Sequence, residues 1–225
     1  MQKAAYASAL AVVIVCCVML TAGIVCADPA QTQTASALGN DEIGKTETAI
    51  GDLVADSVRA AMRADVAFIA ASEIKRKDPP LPPGTVDSSQ IASLITYPDD
   101  CLAVLTLNGK QIRDALERSV SIYPQRNLGF LQVSGLKFTF DPNARRGERV
   151  KSVRIGNADV NDGKSYTVAV TSSMADGALG YWKVWSKDDV KTRDKNLTIA
   201  TSIESFFKSN KRIDYSKLDR ITASK

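Results

Sequence analysis

With 225 residues, 44% of them hydrophobic and 24% charged, the chain is long enough for one sizeable domain and too apolar to be disordered throughout. Lys and Arg number 29 against 25 Asp and Glu, and the resulting net charge of +4 is too small to point to a nucleic-acid partner. The absence of histidine excludes Ser-His and Cys-His nucleophiles, imidazole general bases and His-ligated zinc.

The first 27 residues read as a signal peptide. Lys3 supplies a positive start, an uncharged apolar run extends from Ala9 to Val25, and Val25-Cys26-Ala27 offers a small-residue cleavage site before Asp28. The expected product is exported, periplasmic or secreted. An uncleaved N-terminal membrane anchor is the alternative, because the run is long for a signal peptide. Cys16, Cys17 and Cys26 leave with the segment, and Cys101 alone forms no internal disulfide. Beside the apolar run Leu102–Leu107, Cys101 reads as a small, partly buried side chain, with Asp99 and Asp100 opposing thiolate formation.

Residues 28–45 are polar, small and aperiodic, and read as a linker to a single domain spanning 46–225. Ile50, Leu53, Val54, Val58, Ala61 and Met62 then fall on helical spacing. Asp52, Asp56, Arg59 and Arg63 take the opposite face, and Thr46 or Thr48 is placed to cap the start. Residues 65–70 form a short apolar run expected to be a buried strand, and the four prolines between Pro79 and Pro83 force a loop. A short helix behind Asp87 is expected over residues 87–95. Leu102–Leu107 predicts a strand that Asn108-Gly109 turns into a helix with Ile112, Ala115, Leu116 and Val120 inward. Leu136–Phe140 alternates with period two, and Val150–Ile155 follows it across a hairpin-like connection. Asn161-Asp162-Gly163 turns into the strand Tyr166–Val170. A last helix carries Ile199, Ile203, Phe206 and Phe207 on one stripe. Helices and strands intermix, so the expected fold class is α/β (α+β), a mixed β-sheet packed with helices.

Chemistry-bearing constellations are sparse. Asp159 to Gly163 superficially resembles a calcium loop but lacks the downstream Glu and reads as a turn. Asp176-Gly177-Ala178-Leu179-Gly180-Tyr181 is loop-like without the strand-to-helix setting of a phosphate cradle. Lys75-Arg76-Lys77, Arg145-Arg146 and Lys211-Arg212 read as solvated surface, and Trp182 with Trp185 as a core edge. Neither a metal nor a cofactor is called for, and no catalytic residue emerges.

Four segments nevertheless carry a likeness. Glu47-Thr48-Ala49-Ile50-Gly51-Asp52-Leu53-Val54-Ala55-Asp56 fits the pattern E-x-x-x-G-N-L-x-A-D, and Ala64 to Ile69 fits the strand ahead of an N-G-G-G-I-R loop. Leu105-Thr106-Leu107-Asn108-Gly109, with Ile112, Ala115, Leu116 and Glu117, fits a strand-to-helix step. Phe130-Leu131-Gln132-Val133-Ser134-Gly135-Leu136, followed by Phe140-Asp141, is the most specific of the four. From about residue 45 onward the chain resembles the C-terminal domain of 5′-nucleotidases and their UDP-sugar hydrolase and cyclic phosphodiesterase relatives.

The resemblance implies a nucleotide-binding domain that is the second of two. The first, a metallophosphoesterase domain, holds two metal ions and performs the hydrolysis, so this chain alone is not expected to cleave phosphate esters. In the family an arginine meets phosphate, two aromatic rings sandwich the base and an Asp binds ribose. Here the N-G-G-G-I-R loop reads Ala70-Ala71-Ser72-Glu73-Ile74-Lys75, so Lys75 keeps the charge without the guanidinium fork, and Glu73 replaces a glycine. Phe130 stands as the retained stacking ring, while the second ring falls at Ser173 and the ribose Asp at Leu179. Three roles follow: an exported non-catalytic domain holding a nucleoside-like or other small ligand weakly, with Phe130 and Lys75 as the binding residues; the substrate-binding half of a split nucleotidase with a separate metallophosphoesterase chain; or a scaffold that has lost the site.

Overall fold

The structure, a computed structural model, describes residues 28–224. Its helices are α1 (Ala49–Met62), α2 (Ser88–Ala92), α3 (Gly109–Ser119), α4 (Ser172–Ala175) and α5 (Ile199–Ser209). Its strands are β1 (Gln31–Thr34), β2 (Val66–Ala70), β3 (Gly84–Asp87), β4 (Cys101–Asn108), β5 (Leu131–Ser134) and β6 (Leu136–Phe140), followed by β7 (Val150–Ile155), β8 (Ala158–Asp159), β9 (Ser165–Thr171), β10 (Val190–Thr198), β11 (Arg212–Ile213) and β12 (Ile221–Ala223).

The central sheet has the order β10-β4-β9-β2-β5. Within it β2 and β9 run parallel and the other neighbours antiparallel, so the sheet is mixed as expected. All five residues of β2 are fully buried, which explains why its sequence is an unbroken apolar run with no alternation. α1 covers β2 and β5 and packs against α5. Its inward stripe of Ile50, Leu53, Val54 and Val58 is completely excluded from solvent. Thr48 caps its start by accepting the Gly51 N–H at 3.2 Å, and Arg63 ends it in the left-handed conformation. Asn108 caps α3 in the same manner, accepting the Gln111 N–H at 2.9 Å.

Residues 28–45 are not a linker. β1 lies in the middle of a three-stranded sheet, antiparallel to β3 and parallel to β11, and Leu38 and Ile43 belong to the core. The inward side chains of β1 are Thr32 and Thr34, whose hydroxyls donate to the Asn210 and Ser36 carbonyls, so a buried strand face carries no apolar residue. β10 is likewise absent from the sequence-based expectation. It is a nine-residue edge strand of polar composition, Val-Lys-Thr-Arg-Asp-Lys-Asn-Leu-Thr, which suits an edge that must not pair with a neighbour. The expected signal peptide lies outside the described residues.

The C-terminal segment closes the fold. β12 runs parallel to β6 in a third sheet of order β12-β6-β7-β8. Arg220, just before β12, reaches back to Asp52 and Asp56 on α1.

Candidate functional site

Three segments converge on a cleft of about 220 Å³ at one end of the central sheet. Ser72 and Glu73 come from the single turn that follows β2, Tyr97 from the loop between α2 and β4, and Ser173, Met174, Ala178 and Leu179 from α4 and the turn after it. The Thr96 N–H donates to the Glu73 carbonyl at 2.9 Å, which ties the Tyr97 loop to the turn. Gly177 allows the third segment to fold over. Its φ is +87°, and a Cβ there would lie 2.6–2.8 Å from Trp182 atoms, so no other residue fits without moving backbone. Leu179 also adopts positive φ, held by its carbonyl accepting from the Arg118 guanidinium at 3.0 Å through Nε.

Glu73 does not project into the ligand space as a free charge. Its carboxylate is buried, accepts the Ala70 N–H at 2.7 Å and accepts the Thr171 hydroxyl. Burial pushes its carboxyl up to about 7, against these two hydrogen bonds, which favour the ionised form. The native state therefore binds this proton more tightly than the unfolded chain does. Its stabilising contribution is complete below about pH 4.5 and is lost as pH rises through 7, a change of about 3 kcal/mol. Asp52, raised by burial, acts with the same sign. Thermal denaturation is expected to give a higher Tm at pH 5 than at pH 8, and Glu73→Gln should flatten that slope. An unchanged slope in Glu73→Gln would show that Glu73 is not its source.

Phe130 and Lys75 are not where the sequence argument put them. Phe130 is 1% exposed and its ring belongs to the core, with no free face for a ligand. The cause is tertiary: its carbonyl accepts the Ala71 N–H at 2.8 Å, where the chain enters β5 beside β2. Lys75 is exposed but does not line the cleft. Its N–H donates to the Leu94 carbonyl at 2.7 Å and its carbonyl accepts from Asn40 Nδ2 at 2.9 Å. Ser173 and Leu179 do line the cleft. Tyr181 is fully buried, with its hydroxyl donating to the Gly129 carbonyl at 2.6 Å and its ring stacked on Trp185.

The aromatic ring at the cleft is Tyr97, 57% exposed. Its signal in the sequence was an isolated aromatic in the polar stretch Thr96-Tyr97-Pro98-Asp99-Asp100 just ahead of a strand. Among the described residues, no group of three or more His, Cys, Asp or Glu side chains is placed to hold a metal ion, and no helix is long and apolar enough to cross a membrane.

Residues 29–186 match the family model described as the 5′-nucleotidase, C-terminal domain. The chain belongs to this family. It is 30% identical over 147 residues to the trifunctional nucleotide phosphoesterase protein YfkN of Bacillus subtilis, an alignment covering 63% of this chain and 10% of that protein. The crystal structure of a 5′-nucleotidase precursor from Thermus thermophilus superposes with a TM-score of 0.76 at 24% identity, covering 87% of this chain and 39% of that one. The NAD nucleotidase of Haemophilus influenzae superposes with a TM-score of 0.72 at 17% identity, over 86% of this chain and 38% of that one. At these identities the two structures establish the fold. The chain spans well under half the length of each of these relatives. The turn after β2 and the block beginning at α4 meet at this cleft.

Proposed function

We propose that the chain is an exported, non-catalytic 5′-nucleotidase C-terminal domain that holds a nucleoside-like ligand weakly in the Tyr97 cleft. The observation that supports this most is the exposed Tyr97 ring at a cleft built from the family's binding segments. One stacking face is worth about 1–3 kcal/mol. Neither a second ring nor a ribose carboxylate stands opposite it, since Ser173 and Leu179 occupy those positions, and weak binding follows.

Thermal shift of the chain with adenosine, adenosine monophosphate and UDP-glucose tests this. Ligand at 100 times its dissociation constant adds about 2.7 kcal/mol, or roughly 5–11 °C for a domain of this size. Tyr97→Ala is expected to weaken binding by about 5- to 150-fold with the parent melting temperature intact. Equal shifts in parent and variant would reject the stacking role.

A second role is favoured by the relatives' greater length: the substrate-binding half of a nucleotidase completed by a separate metallophosphoesterase chain. Leu128, whose carbonyl accepts from Ser72 at the cleft, is 68% exposed and would be covered in such a pairing. Metal-dependent nucleotide hydrolysis that requires both chains is the expected result. Activity of the metallophosphoesterase chain unaltered by adding this one would dismiss it.

A further inference from the structure

The two tryptophans, three residues apart, have different fates. Trp185 is 3% exposed, stacks on Tyr181 at 4.8 Å between ring centroids, and donates its Nε1–H to the Met174 carbonyl at 2.9 Å. Trp182 is 66% exposed and lines a second cavity of about 500 Å³ that shares no lining residue with the Tyr97 cleft. A cavity of this size is in the range that takes small organic ligands.

Its charged walls come from three parts of the chain: Glu117 and Arg118 on α3, Arg146 in the β6–β7 connection, and Lys183 beside Trp182. Arg118 is committed to the Leu179 carbonyl, and Glu117 Oε1 accepts the Val150 N–H at 2.6 Å. Arg146 and Lys183 form no salt bridge among the described residues. Lys183 Nζ lies instead 5.1 Å from the centre of the Trp182 ring. Glu117 Oε2 is buried with no hydrogen-bond partner, a buried acceptor that calls for a donor.

We propose that this cavity is a second ligand site, for a small aromatic anion: a planar ring carrying a phosphate or carboxylate group. The ring stacks on the exposed Trp182, and the anion is met by the Arg146 fork and the Lys183 ammonium, the two lining cations that, among the described residues, donate to no protein oxygen. The unsatisfied Glu117 oxygen favours rings that also bear a hydroxyl or amino donor.

The two indole N–H groups make this measurable by heteronuclear NMR on the full chain, because only one of them lies at the cavity. Titration with phenyl phosphate and with benzoate is expected to move the Trp182 indole signal saturably and leave that of Trp185 in place. The probe with the lower saturation concentration identifies the anionic group. Inorganic phosphate should bind about tenfold more weakly than phenyl phosphate, Arg146→Ala should weaken phenyl phosphate about tenfold, and Tyr97→Ala should leave its affinity unchanged. The site is overturned by a Trp182 signal that neither probe moves, by equal affinity for inorganic phosphate and phenyl phosphate, or by undiminished binding when Arg146 and Lys183 are both replaced by Ala.

Discussion

Arg220→Ala is expected to lower the unfolding free energy by about 3–5 kcal/mol, read from urea denaturation. The guanidinium is held by both Asp56 carboxylate oxygens, at 2.8 and 2.9 Å, by the Val133 carbonyl at 3.0 Å and by Asp52 at 3.3 Å. Asp52 is fully buried, and Tyr215 donates to Asp56 from the same C-terminal segment. Burial, offset in part by Arg220 and reinforced by the neighbouring Glu47 carboxyl, pushes the Asp52 carboxyl well above the usual range. Glu47 Oε2 in turn accepts the backbone N–H groups of Arg220 and Ile221 at 2.7 and 2.8 Å. Removing the guanidinium therefore strands carboxyl groups on α1 and loosens the segment that leads into β12. Arg220→Lys keeps a charge but loses the two-pronged contact, and should fall between parent and Ala. A loss under about 1 kcal/mol in Arg220→Ala would show that water replaces the guanidinium without penalty.

Gly51→Ala is expected to cost about 3 kcal/mol or more, though alanine is the better helix former. A Cβ at this position would lie 2.5 Å from Gln132 Cδ and closer still to Oε1. Gln132 is fully buried, and its amide ties β5 to the entrance of α1. Its oxygen accepts from the Thr48 N–H at 2.9 Å and hydroxyl at 3.1 Å, while its nitrogen donates to the Ile43 and Thr46 carbonyls at 3.0 and 2.8 Å. The added methyl evicts the amide and leaves those groups unpaired, which costs more than the contact it gains. Gln132→Ala creates the missing space, so the double variant should be less destabilised than the sum of the two singles. Simple additivity in denaturation experiments would mean that helix and sheet move apart without involving Gln132.

The sequence was most readable where an element buries one apolar stripe. α3 and α5 carry that stripe at helical spacing, and β6 alternates along its length, because each has one face toward the core and one toward water; α1 shows the same spacing, but its polar face, with Asp52 and Asp56, is covered by Arg220 of the C-terminal segment. β1 was hidden because threonines fill its inward face and its pairing partners, β3 and β11, are distant in the chain. β10 was hidden because an edge strand has no need of an apolar pattern. The same limit applied at the cleft. Ser173, Leu179 and the turn at Glu73 were identified from their segments. Whether Phe130 or Tyr97 offers a ring to solvent depends on the direction in which each loop enters the sheet.

The sequence by itself determined the class of fold, the family likeness and the exclusion of histidine chemistry, since these rest on composition, local periodicity and short ordered motifs. Tertiary structure alone decided that Phe130 is core and Tyr97 is exposed, that Glu73 turns inward, and that Trp182 faces a cavity while Trp185 packs on Tyr181. It also decided that Arg220 and Gln132 bind α1 to strands far away in the chain. The physical reason is the same in each case. Burial of a side chain and the partner of a polar group are set by contacts between distant segments, and those contacts leave no periodic trace in the residues that make them.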